Sequence, residues 1–132
     1  MKKIMIVDDN YLSAEGIEKN IDWETLNAEI IHVCYNGTSA IEAMKKEPAD
    51  LIISDIEMPD LDGISMSRQA LEINPMVKII LISAYDKFEY ARRALLLGAL
   101  DYIEKPLDYA YLIQKVKNAF ALMEKEQKIS SF

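Results

Sequence analysis

Hydrophobic positions along the chain follow two rhythms in alternation. Short β-branched runs at 4–7, 30–34, 51–54, 79–83 and 102–103 are separated by longer stretches of helical spacing. The runs LIIS and KIILIS are nearly continuous apolar sequence and do not alternate in and out. Strands buried on both faces of a parallel sheet need that composition, because helices cover the sheet above and below. Leu112, Ile113, Val116, Ala119, Phe120 and Met123 share one stripe of a C-terminal helix, and Phe88, Ala91, Leu95 and Gly98 trace a narrower stripe on an earlier one. All of these stripes are read as core packing. Asn36-Gly37, Met58-Pro59, Asp62-Gly63, Asn74-Pro75, Gly98 and Pro106 punctuate the alternation as turns, caps or breakers.

Five strands alternating with five helices predict a (βα)5 unit, and right-handed crossovers make it a doubly wound, three-layer α/β sandwich. The expected order of the parallel sheet is the flavodoxin-like 2-1-3-4-5. One domain is expected over residues 1–124, with a polar tail at 125–132 that is either a fraying helix end or the start of a linker. Composition agrees with this: 132 residues, 51% of them hydrophobic and 28% charged, supply a core and argue against disorder.

Charge and rare residues narrow the chemistry. Fifteen Lys and Arg against 22 Asp and Glu leave a net charge of -7, which opposes a general grip on nucleic acid or anionic lipid. The single Cys34 and single His32 exclude a disulfide framework and the usual multi-cysteine or multi-histidine metal sites. No apolar run approaches the roughly 20 residues of a membrane helix. A reduced, cytoplasmic protein with no membrane association is the expectation.

Open parallel sheets bind ligands at the carboxyl ends of their strands, beside the switch point. Asp8-Asp9 follow the first strand, Asp55 the third, Ser83 ends the fourth, and Glu104-Lys105-Pro106 follow the fifth. In the expected order, Asp8, Asp9 and Asp55 converge on one small volume. Three carboxylates there repel one another, and Mg²⁺ with oxygen ligands relieves the repulsion. A carboxylate beside Mg²⁺ is also a nucleophile toward phosphorus. Lys105 offers positive charge to a phosphoryl oxygen and Ser83 a hydroxyl donor. Lys105-Pro106 is a candidate cis peptide. Alone, an acidic pair solvates a loop, a Lys-Pro makes a turn and a strand-end Ser caps; their coincidence at one end of one sheet carries the reading.

At these residues the sequence resembles a two-component response-regulator receiver domain. The resemblance runs from about Lys2 to Met123 through KIMIVDD, DLIISDIEMPDLDGI, IILISAY and GALDYIEKPLD. It implies that Asp55 accepts the phosphoryl group, that Asp9 ligates Mg²⁺ directly and Asp8 largely through water, and that Glu57 supplies a backbone carbonyl to the metal. It further implies that Ser83 and Tyr102 form the switch pair, that Lys105 is the family's lysine, and that Met58-Pro59 and Gly63 shape the loop. Such a domain is not an enzyme beyond its own phosphoryl transfer and autodephosphorylation. Its donor is a sensor histidine kinase, and a homodimer through the α4-β5-α5 face is a further expectation. SAYDKFEYARRALLLGALDYIEKPLD is similar to receivers of AraC-type transcription factors, so DNA contact is expected only through a C-terminal domain that this chain lacks. Glu57 and Tyr85 flank the expected path of hydrolytic water.

Two other functions use related residues. A phosphatase of the haloacid-dehalogenase type also pairs an aspartyl nucleophile with an acid two positions on, as in Asp55 and Glu57, but its nucleophile follows an early strand and it needs room for a substrate cap. A flavodoxin-like electron carrier needs a Ser/Thr/Gly-rich phosphate loop after the first strand, where Asp8-Asp9 would repel FMN phosphate.

Overall fold

The computed structural model describes residues 1–84 and 88–130. Its elements are β1 (Lys2–Val7), α1 (Tyr11–Asn20), β2 (Ala28–Cys34), α2 (Gly37–Lys46), β3 (Leu51–Asp55), α3 (Gly63–Ile73), β4 (Lys78–Ser83), α4 (Phe88–Leu97), β5 (Asp101–Glu104) and α5 (Tyr109–Ser130). The strands form one parallel sheet in the order β2-β1-β3-β4-β5. The expected architecture and strand order both hold. Tyr85 lies outside the described residues, so its expected shielding role has no structural counterpart here.

The apolar runs serve two cores at once. Successive strand side chains point to opposite faces, so an unbroken apolar run feeds both. Ile4, Ile6, Leu51, Ile53, Ile80 and Ile82 pack with Ala14 and Ile17 of α1 and with Leu112, Val116, Ala119 and Phe120 of α5. Met5, Val7, Ile52, Ile79 and Leu81 pack on the other face against α2, α3 and α4. Three helices begin at an Asn or Asp whose side chain accepts an otherwise unpartnered backbone N–H: Asn10 from Ser13, Asn36 from Ser39 and Asp62 from Ser65.

Two details differ from the expected pattern. Among the described side chains of α4 the buried one is Ala94, whereas Leu95, assigned to the core stripe, is 78% exposed. ARRALLLGAL is apolar at consecutive positions, so period alone could not choose its buried face. Gly98 follows the helix with φ of 89°, where a glycine terminates it without strain. At the other end, α5 runs on to Ser130, and Glu126 is tied to Lys78 of β4 at 2.8 Å. No helix among the described residues is long and apolar enough to cross a membrane.

Candidate functional site

Sheet register brings the site together. Val7 pairs with Ser54, Asp55 with Ile82, and Ser83 with Glu104. Asp8, Asp55, Ser83 and Lys105 therefore leave neighbouring strands at one level, although nearly a hundred positions separate the first from the last. Backbone hydrogen bonds hold each exit: Asp8 N donates to Cys34 O, Ile56 N to Ile82 O, and Lys105 N to Ser83 O. The Lys105-Pro106 bond is cis, as expected. Gly63 permits the tight return of the β3–α3 loop: a Cβ there would strike the backbone of Asp55, and Gly63 N donates to Ile56 O.

Carboxylate oxygens of Asp8, Asp9 and Asp55 lie within 4.8 Å of one another. Asp8 and Asp55 are buried and Asp9 is exposed. Lys105 Nζ lies 3.3 Å from Asp55 Oδ2 and 3.7 Å from Asp8 Oδ2, so one cation serves two carboxylates. Burial and the Asp8 charge push the Asp55 carboxyl up to about 6, more than Lys105 can offset. Asp8 is raised as well, chiefly by burial. Burial alone would lower Lys105, but Asp55 and Asp8 outweigh it and hold the ammonium above its ordinary value. Among the described residues, Asp55 Oδ1 is buried with no hydrogen-bond partner. An orphaned carboxylate oxygen facing two further carboxylates suits a hard divalent cation, which prefers oxygen donors.

The remaining expected residues occupy distinct places. Ser83 is buried at the end of β4, and its hydroxyl donates to Glu57 Oε1 at 2.5 Å. Tyr102 stands half-buried on β5 beside Leu81, packed on the α2–α3–α4 side. Sequence reading gave Glu57 a backbone role at the metal and a side chain beside the water path; its pairing with Ser83, 26 positions on, leaves no local signal. A second feature had none either. Asp60 accepts from the backbone N–H of Gly37 and Thr38 and from Thr38 Oγ1, fastening the β3–α3 loop to the start of α2. These bonds hold the Asp60 carboxyl well below the usual range.

The known response regulator receiver domains match residues 4–117. The chain belongs to that family. Transcriptional regulatory protein YesN of Bacillus subtilis is 29% identical over 126 residues, which cover 96% of this chain and 34% of YesN. The chain thus spans about a third of that relative's length. Among solved structures, the receiver domain of AraT, a response regulator from Geobacillus stearothermophilus, is 34% identical with a TM-score of 0.89, covering 96% of this chain and 98% of that one. A two-component transcriptional regulator AraC from Clostridium phytofermentans is 30% identical with a TM-score of 0.84, covering 97% and 98%. This receiver domain carries its acidic cluster and lysine at the carboxyl end of the sheet, the end at which open α/β folds bind ligands.

Proposed function

We propose that this receiver domain accepts a phosphoryl group on Asp55 from a sensor histidine kinase and switches an output surface in response. The observation that carries the reading is the convergence of Asp8, Asp9 and Asp55 within 4.8 Å, with Lys105 on Asp55. An Asp55 oxygen attacks phosphorus, the P–N bond of the phosphohistidine breaks, and the imidazole leaves with the electron pair. Lys105 donates to an oxygen of the transferring group and limits charge build-up, while burial excludes competing water. Asp8, Asp9, Asp55 and the backbone carbonyl of Glu57 would hold Mg²⁺, which supplies neutralisation of the phosphoryl oxygens. The same pocket would later release phosphate by hydrolysis, the only turnover in this reading.

Switching then draws the Ser83 hydroxyl toward a phosphoryl oxygen and lets Tyr102 turn into the vacated space. The output is a homodimer through the face of α4, β5 and α5, where Leu95, Leu96 and Tyr111 are exposed. The likeness to YesN and to the AraC regulator supports transcriptional control through an AraC-type DNA-binding domain elsewhere in the same protein, working in the cytoplasm. The test is intact-mass spectrometry after treatment with acetyl phosphate and Mg²⁺. Wild type should gain one adduct of about 80 Da and Asp55→Asn none; an adduct that persists in the variant sinks the assignment.

A further inference from the structure

Glu57 sits two residues after Asp55, and its carboxylate already holds the one hydroxyl that a phosphoryl group on Asp55 would need. The Ser83 hydroxyl has a single proton to donate. While that proton is given to Glu57 Oε1 at 2.5 Å, a short charge-assisted bond, it is not available to a phosphoryl oxygen. Glu57 also lines a cleft with Ile56, Met58, Pro59 and Asp62 of the β3–α3 loop and with Tyr90 and Arg93 of α4. Arg93 has no ion-pair partner among the described residues, although Arg92 beside it pairs with Glu89. The Glu57 carboxylate thus holds a hydroxyl of the reacting pocket, and its residue lines the same cleft as Arg93 of α4.

We infer that Glu57 is a latch and relay: it restrains Ser83 in the unmodified domain and, on phosphorylation, transfers to Arg93, carrying the change to α4. This rests on the phosphoacceptor role of Asp55. An incoming phosphoryl group brings close to two negative charges, repels the Glu57 carboxylate and offers Ser83 a stronger acceptor, so one event breaks the latch twice over. The displaced carboxylate needs a new counter-charge, and Arg93 lines the cleft that Glu57 also lines. Glu57 is a positioning residue here, acting through Ser83 and α4 and not on phosphorus.

The experiment is a titration with beryllofluoride and Mg²⁺, followed by NMR at backbone amides of the site and of α4. Glu57→Leu, which removes the charge and the acceptor oxygen together, should bind the anion more tightly than wild type. Part of that gain is plain loss of repulsion, so the decisive comparison is with Ser83→Ala. The gain from Glu57→Leu should be on the order of three- to tenfold larger with Ser83 present than with alanine in its place. Equal gains in the two backgrounds would overturn the latch. Arg93→Met should saturate with beryllofluoride while the shift at the Ala94 amide shrinks; a full-sized shift there overturns the transfer to α4. Asp55→Asn separates the two levels, because tight anion binding by that variant defeats the phosphoacceptor reading itself.

Discussion

Asp55 illustrates what a single side chain costs and gains in this fold. Its carboxyl is raised from 3.8 to about 6 by burial and by Asp8, so the folded chain holds a proton that the unfolded chain has already released between those values. Stability from this group is fully present below about pH 4 and is lost as pH rises through about 6. In metal-free buffer, Asp55→Asn should therefore be more stable than wild type at pH 7, on the order of 2 kcal/mol, and show little difference at pH 4. Urea unfolding with a chelator present at the two pH values checks this; parallel behaviour of the two proteins would mean that the Asp55 charge is not strained. The same strain is what a cation would relieve, so stability and chemistry meet in one carboxylate.

At the scale of elements, the β3–α3 loop is held from both ends. Gly63 lets α3 start against the backbone of Asp55, and Asp60 grips the first amides of α2. Removing the grip should loosen the loop and the start of α2 while leaving the sheet intact. Asp60→Ala is expected to speed amide hydrogen exchange at Gly37 and Thr38, with β3 and β4 amides unchanged; unaltered exchange at both positions would show that the Asn36 cap suffices alone. In α5, the bond between Lys78 and Glu126 ties down the stretch for which the sequence left a fraying helix end or the start of a linker open. Its outer residues are polar because one face meets solvent, which composition alone does not distinguish from a linker.

For the molecule as a whole, the proposed reading makes the three acidic side chains the place where cation binding and folding are linked. A cation held only by the folded chain raises its thermal midpoint by mass action. On the proposed reading, Mg²⁺ should raise the midpoint of wild type, and Asp9→Ala should lose most of the rise. A full Mg²⁺-dependent shift in that variant would put the ion elsewhere. Asp9 serves well for this test because it is exposed and replacing it leaves the core untouched.

The alternation of apolar runs with helical stripes was enough to set the layers, because a strand buried on both faces must be apolar at every position and a covering helix at every third or fourth. The acidic pair, Asp55, Ser83 and Lys105 were legible for a related reason: each follows a strand, and strand ends share one side of a parallel sheet. What local sequence could not decide were relations across space. Leu95 and Ala94 are both apolar, and only packing against the sheet chose Ala94 for burial. The grip of Asp60 on Thr38 spans 22 positions, and that of Glu57 on Ser83 spans 26. Such pairings depend on how the loops fold back over the strand ends. A side chain's type announces that it can donate or accept a proton; only the tertiary structure supplies the partner, because hydrogen bonds act over about 3 Å of space and not along the chain.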